Sequence, residues 1–391
     1  MNIVGTRPNM MKIAPLMASM SASPYIKTIL VHTGQHYDYA LSDVFFEQLG
    51  MRAPDYNLEV GSGTHHSQTA AVMERFGELV TYRRPDLIVV AGDVNSTLAC
   101  ALVGAKEMIP VAHVESGLRS FDRSMPEEIN RVMTDSISEL LFTTEEAANE
   151  NLKREGIPDD KVHFVGNTMI DSLARSLEMA RQSPVKRQMN LRSKKYVVLT
   201  LHRPANVDNP VRLAETLEAI SEIAREIPVI FPMHPRTKAK IQASGFHGMR
   251  DWHEGAIEAG IFSMPPASYF DFIGLVDDAA FVITDSGGLQ EETTYLGVKC
   301  LTFRDNTERP ITASCGTNFL VGTDPKSLLI HARAALQSTE QNHTEDRILP
   351  PLWDGKTADR ITRVIEEFLF RRNVENMSEM SSKSLIQAVQ V

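Results

Sequence analysis

Three cysteines in 391 residues, Cys100, Cys300 and Cys315, have no metal-ligand spacing, and any disulfide scheme leaves one of them over. Reduced thiols in a cytoplasmic compartment are the expectation. No apolar run approaches the roughly 20 residues of a membrane span. The N-terminus enters a strand directly, without the pattern of a signal peptide. A basic excess is also missing. Lys and Arg number 40 against 50 Asp and Glu, a formal net charge of −10, which argues against a nucleic-acid binder held by phosphate contacts. Small anionic ligands stay open, because a pocket can be locally positive inside an acidic protein. No G-x-G-x-x-G follows a strand, so a tightly bound dinucleotide is disfavoured. A Walker A loop and a G-x-S-x-G elbow are absent too, as are internal repeats and low-complexity segments. What is present, 42% hydrophobic and 23% charged residues, is the ordinary make-up of a globular protein. The length suggests two domains.

Read in order, the chain alternates strand and helix. Asn2 to Val4 is a short strand for a sheet interior, which implies either an upstream start or a small edge contact. Gly5-Thr6-Arg7-Pro8 follows, then a helix from Met10 to Ser21. Ile29 to His32 is the next strand, ending in Gly34-Gln35-His36. Helices are expected over Asp43 to Leu49 and Thr64 to Arg83. Pro85 to Ala91 reads as a continuous apolar run of the parallel-sheet kind, closed by Gly92-Asp93. A helix from Ser96 to Lys106 leads to the strand Val111 to Val114 and to Glu115-Ser116-Gly117. Pro126-Glu127-Glu128 opens the helix carrying Asn130 and Arg131, and Leu140 to Thr143 and Val162 to Val165 are further strands. Gln182 to Lys195, charged and unpatterned, reads as a linker. The alternation then restarts with Tyr196 to Leu201, the helix Pro210 to Glu226 and the strand Pro228 to Met233. Two successive units of this kind imply an α/β protein of two Rossmann-like, doubly wound domains facing a cleft. Near the end, Ala358 to Phe370 is an amphipathic helix with Ile361, Val364, Ile365, Phe368 and Leu369 on its apolar face, and fraying is expected from about Met377.

The most informative stretch runs from Phe281 to Pro310. Phe281 to Thr284 is a buried strand, and Asp285-Ser286-Gly287-Gly288 turns it into a helix. The two glycines let a ligand approach the backbone, while Ser286 can cap the helix and donate its hydroxyl. The free N–H groups there suit a phosphate. Glu291 and Glu292, one turn on, can accept from sugar hydroxyls. The same spacing also fits plain strand-turn-helix chemistry. Position separates the two readings: Arg7, Asp93, Glu115, His202 and Asp285-Ser286 each fall just past the C-terminal end of an expected parallel strand, the edge at which open α/β sheets bind ligands. Arg7, Lys12 and the helix start at Ser286 could hold a diphosphate. Asp93, Glu115 and Glu127 could transfer protons, although for Glu127 alone a favourable first-turn helix charge is the better reading and Glu115 could equally pair with Arg119. His202 could bind phosphate, move a proton or serve structurally. His65-His66 reads as surface, with no further ligands spaced for a metal.

Taken together, Gly5-Thr6-Arg7-Pro8, Thr33-Gly34-Gln35-His36, Gly92-Asp93, His113 to Arg119, Pro126 to Arg131, His202-Arg203, Thr284 to Glu292 and Thr307-Glu308-Arg309-Pro310 resemble the non-hydrolysing UDP-N-acetylglucosamine 2-epimerases. The motifs are in order and cover about residues 5 to 322. The resemblance implies a glycosyltransferase-B-like fold with UDP in the cleft, no metal, no other cofactor and a cytoplasmic homodimer whose partner is a UDP-sugar substrate, without nucleic acid or membrane. It implies epimerisation at C2 by elimination of UDP to 2-acetamidoglucal and re-addition, for surface polysaccharide precursors. Asp93, Glu115 and Glu127 are then the acid/base carboxylates. His202, Arg7, Ser286, Gly287 and Gly288 hold the diphosphate, Glu292 takes the ribose hydroxyls, and Arg309 lies near the phosphates or sugar. Lys12 and Arg131 line the same cleft.

The domains expected on this basis are 1–167, joined by the C-terminal helix 357–372, a UDP-binding domain 168–356, and a polar tail 373–391. Three departures stand out. Asn9 follows Arg7-Pro8 where many members carry Glu. Pro204-Ala205-Asn206 follows His202-Arg203 where Glu-Asn is common. Tyr37-Asp38 follows Gln35-His36 in place of an Arg-containing run. Gln35 and His36 mark a regulatory site in bacterial members, and the last departure argues against activation by substrate here.

Overall fold

The computed structural model describes residues 1–35, 46, 48–253, 255, 257–340 and 349–389. The expected helix Asp43 to Leu49 falls mostly outside these residues. The chain forms two compact units: Met1–Gly117 with Asp122–Ser172 and Asp354–Val391, and Leu118–Phe121 with Leu173–Trp353.

The first unit holds a parallel sheet of seven strands: β1 (Asn2–Val4), β2 (Leu30–His32), β3 (Tyr56–Asn57), β4 (Ile88–Ala91), β5 (Val111–Ser116), β6 (Leu140–Thr143) and β7 (Val162–Phe164). Their order is β3-β2-β1-β4-β5-β6-β7. The three-residue β1 is therefore not at an edge: it pairs with β2 on one side and, through Asn2, with Val89 on the other. The apolar run at Ile88–Ala91 is buried throughout, as befits a strand covered on both faces. Helices Arg7–Ala22, His65–Tyr82, Asn95–Lys106 and Pro126–Ile137 link the strands.

The second sheet is also parallel and comprises β8 (Val197–Thr200), β9 (Val229–Pro232), β10 (Met249–Asp251), β11 (Ile261–Met264), β12 (Phe281–Thr284), β13 (Lys299–Thr302) and β14 (Asn318–Leu320), in the order β10-β11-β9-β8-β12-β13-β14. Alternation along β8 and β12 explains the two helix layers. Val197, Leu199, Phe281 and Ile283 enter one core with Leu213, Leu217 and Leu328; Val198 and Val282 point the other way, into a core with Leu275, Val276 and Leu289.

Two sequence expectations change. Gln182 to Lys195 is not a bare linker, because Val185 and Met189 are buried in the second of those cores, and Lys186 and Ser193 both bond Asp278. The last helix runs Thr357–Val389, longer than the Ala358 to Phe370 expected. It starts on Asp171, whose carboxylate accepts the N–H groups of Thr357 (3.1 Å) and Ala358 (2.7 Å). No helix among the described residues is long and apolar enough to cross a membrane.

Candidate active site

In the first sheet the strand order turns at the β1–β4 pair; in the second, the connections leave the β8–β12 pair in opposite directions, to β9 and to β13, while the outer β10 and β11 are out of sequence order. Loops at the C-terminal ends of such strand pairs form the crevice where doubly wound sheets hold ligands. Arg7, Lys12, Asp93 and Glu115 belong to the first of these points, and His202, Asp285 and Ser286 to the second.

In the first unit, Arg7 opens the helix after β1 and is exposed. Asn9, one turn in, accepts from the Thr6 N–H (3.2 Å) and hydroxyl (2.9 Å) and donates to the Ala91 carbonyl (2.7 Å). That donation ties the β1 turn to the β4 turn, and a Glu at position 9 could not make it. Gly92 adopts φ +66°, and a Cβ there would lie 2.7 Å from Lys12 Nζ. Lys12 is buried and bonds Glu115 at 2.6 Å. Arg131, buried on the helix after Pro126, bonds Asp93 and, at 2.7 Å, Glu128. Asn130 donates to the Asp93 carbonyl. Glu115 departs from expectation: it lies within β5, not past its end, at a register shift between Val114 and Ser116, with φ +68°. Glu is rare in that conformation, and such strain concentrates at functional sites. Its buried carboxylate pairs with Lys12. Glu127 is half-buried and forms no hydrogen bond or ion pair among the described residues.

In the second unit, Asp285 at the end of β12 is fully buried and organises the turn after β8. It accepts from the backbone N–H groups of His202 and Arg203, from Asn206 Nδ2, and from His202 Nδ1 at 2.8 Å. Burial pushes the Asp285 carboxyl up, but the bonds and charge of His202, with Asn206 and Arg203, outweigh it and hold the carboxyl below its usual range. With Nδ1 engaged, Nε2 of the exposed His202 ring is the nitrogen left for a ligand. Asn206, where a resemblance-based reading places a departure, is thus part of the Asp285 cradle.

Ser286 occupies the N-cap of the helix Gly287–Leu296 with extended backbone, but its side chain makes no capping bond, contrary to the cap expected from sequence. The hydroxyl and the first N–H groups, at Gly287 and Gly288, are of the kind that can hold an anion at a helix start. Beneath them lies a buried ionic network: Arg309 bonds Glu308 (2.6 Å) and ion-pairs with Glu291 (2.9 Å), and Arg304 bonds Glu308 (2.8 Å). Burial raises the Glu308 carboxyl, yet the Arg309 and Arg304 guanidiniums more than offset this and keep it well below the carboxylate range. A Cβ at Gly287 would meet Glu308 Oε1 at 2.5 Å and Arg309 Nη1 at 2.7 Å. Glu291 is consumed by Arg309. Glu292, buried, takes a long 3.4 Å bond from the Tyr269 hydroxyl.

Gln35 is buried, with its side-chain oxygen held by Ser96 at 2.7 Å. His36 lies outside the described residues. Glu128, His113, Asp135, Arg304 and Glu308 were given no role in the sequence reading; only the Glu128–Arg131 spacing of three carries a local signal.

A pair of Rossmann-like domains with carboxylates at one switch point and an anion-binding helix start at the other defines a protein built for nucleotide-linked substrates. The chain belongs to the UDP-N-acetylglucosamine 2-epimerase family, whose model matches residues 18–366. A UDP-N-acetylglucosamine 2-epimerase of Methanocaldococcus jannaschii is 41% identical over 368 residues, spanning 93% of this chain and 97% of the relative. A UDP-2,3-diacetamido-2,3-dideoxy-D-glucuronate 2-epimerase of Pseudomonas aeruginosa is 38% identical, over 88% and 93% of the two chains. The crystal structure of the Methanocaldococcus jannaschii UDP-GlcNAc 2-epimerase in complex with UDP-GlcNAc and UDP matches with a TM-score of 0.82 at 40% identity, covering 93% of this chain and 98% of that one.

Proposed function

We propose that this protein interconverts UDP-N-acetylglucosamine and UDP-N-acetylmannosamine without hydrolysis, in the cytoplasm and as a homodimer, supplying surface polysaccharide synthesis. The observation that carries the reading is the division of labour between the two switch points within a chain of this family: carboxylates and cations after β1, β4 and β5, an anion-binding helix start and an oriented histidine after β8 and β12.

The chemistry has to invert a carbon whose proton is not acidic. A carboxylate among Asp93, Glu115 and Glu127 removes the proton from C2 while the C1–O bond to UDP breaks, giving 2-acetamidoglucal and free UDP. The UDP oxygen then re-adds at C1, and C2 receives a proton on its other face. Two faces call for more than one carboxylate. His202 Nε2, Arg7, Ser286, the N–H groups at Gly287 and Gly288, and Arg309 stabilise the charge that develops on the departing diphosphate, the electrostatic part of the catalysis. Glu292 takes the ribose hydroxyls, and Lys12 and Arg131 line the sugar side. Gln35 and His36 form no activating site on this reading.

The test is a proton NMR time course with UDP-N-acetylglucosamine in D2O. UDP-N-acetylmannosamine carrying deuterium at C2 is the expected product; free N-acetylmannosamine plus UDP would place the chain with hydrolysing enzymes. A second reading, the same chemistry on a UDP-linked diacetamido uronic acid, is favoured by the 38% identical Pseudomonas aeruginosa relative. Exchanging the sugar nucleotide in the same assay separates the two.

A further inference from the structure

Glu115 sits in a left-handed conformation that a glutamate adopts only when its surroundings impose it. Lys12 holds one oxygen of its carboxylate but does not account for its backbone. The backbone is bracketed two residues to either side by one buried pair. On the N-terminal side, the fully buried His113 places Nδ1 2.6 Å from Asp135 Oδ1. On the C-terminal side, the Gly117 N–H donates to the other Asp135 oxygen at 3.0 Å. The second ring nitrogen, His113 Nε2, lies 2.8 Å from the Gly92 carbonyl, immediately before Asp93. One imidazole and one carboxylate therefore join the turn carrying Asp93, the bulge carrying Glu115, and the helix Pro126–Ile137 that carries Glu127 and Arg131.

We propose that His113 and Asp135 are positioning residues for the epimerisation: neither touches substrate, and together they hold Glu115 in its left-handed backbone and fix the spacing of the Asp93, Glu115 and Glu127 carboxylates. This rests on the function proposed above. Gly117 completes the arrangement, since its φ of +77° and a would-be Cβ contact of 2.6 Å with the Ala148 carbonyl seat it tightly against the helix Glu146–Arg154. A misplacement of about 1 Å in a catalytic group costs on the order of a hundredfold in rate, so a device acting on three carboxylates at once has large leverage.

The experiment compares three variants. Asp135→Ala removes both restraints. Asp135→Asn keeps their shape, with an oxygen for Gly117 and an amide for the ring. His113→Asn matches the Nδ1 bond but cannot reach Gly92. Turnover is expected to fall at least tenfold in Asp135→Ala and His113→Asn, with KM and the Kd for UDP within twofold, and to recover to within about threefold of the unaltered chain in Asp135→Asn. A loss confined to general instability would lower UDP binding in step with turnover, and that pattern overturns the proposal. So does turnover within twofold of the unaltered chain in folded His113→Asn, which decides alone if Asp135→Ala does not fold. A crystal structure of His113→Asn gives a reading independent of catalysis: Glu115 leaving the left-handed region, or the Gly92 carbonyl displaced, is expected, and both unchanged overturns the idea. If the unaltered chain proves not to epimerise, the proposed function fails on that control, and the structure of the variant still judges the positioning.

Discussion

Asp285 holds His202 by the ring and by the backbone at once: Nδ1 lies 2.8 Å from one carboxylate oxygen, and the His202 N–H is 3.1 Å from both. The ring of an otherwise exposed histidine is thereby aimed with its tautomer fixed, the arrangement that general acid/base and phosphate-binding histidines use. Its consequences can be measured separately for stability and for rate.

Stability comes first. The folded-state pKa of Asp285 lies below its ordinary value of 3.8. A depressed carboxylate contributes stability that is complete above the unfolded pKa and is lost as pH falls through the folded one. Asp285→Asn should therefore be less stable than the unaltered chain at pH 7, and the gap should close as pH drops below about 4. Urea denaturation at a series of pH values checks this; a gap independent of pH would contradict it. At pH 7 the same variant should turn over tenfold to a hundredfold more slowly, because the amide can leave His202 in the wrong tautomer.

Lys12 and Glu115 form a buried pair at 2.6 Å, so removing one partner strands the other charge. Lys12→Met should cost about 3–5 kcal/mol of stability, read as a lowered denaturation midpoint, and should abolish measurable turnover. The double variant Lys12→Met with Glu115→Gln should recover part of the stability and none of the activity. A double-mutant cycle with additive losses would show that the two groups do not interact.

Gly287 tests the anion-binding helix start. The atoms a Cβ would meet, Glu308 Oε1 and Arg309 Nη1, are ends of flexible side chains, but both are locked by bonds to Arg304 and Glu291 within a buried network. Gly287→Ala should therefore shift the network and weaken UDP binding tenfold or more by calorimetry, with the fold retained. An unchanged Kd would place the nucleotide elsewhere.

The same details show how much the sequence could say. Buried parallel strands announce themselves as apolar runs, so Ile88–Ala91, Val197–Thr200 and Phe281–Thr284 were legible, and with them the polar residues at their ends. The edge strands β3, β10 and β14 were not: they have two or three residues each, and Met249–Asp251 carries no alternation to read. Gln182 to Lys195 looked like a linker because only Val185, Met189 and the partly buried Leu191, scattered among its many charges, reach a core. Nothing in the residue type of Glu115 signals a positive φ. The pairs that shape the site join positions far apart in sequence, His113 to Asp135 across 22 residues and His202 to Asp285 across 83; only a fold brings them together.

Glu127 offers the sharpest separation of catalysis from structure. Asp93 and Glu115 are tied to Arg131 and Lys12, so their amides disturb ion pairs as well as chemistry. Glu127 has no such bond among the described residues and stands in the first turn of the helix Pro126–Ile137. If it is only a favourable helix charge, Glu127→Gln should cost about 0.3–1 kcal/mol and leave turnover intact. If it moves a proton, the stability change is the same small amount, yet turnover falls by about a hundredfold or more while the Kd for UDP stays within twofold. We expect the second result, measured as C2 epimerisation by NMR beside a urea titration. Turnover within threefold of the unaltered chain would remove Glu127 from the chemistry and leave Asp93 and Glu115 to serve both faces of the sugar.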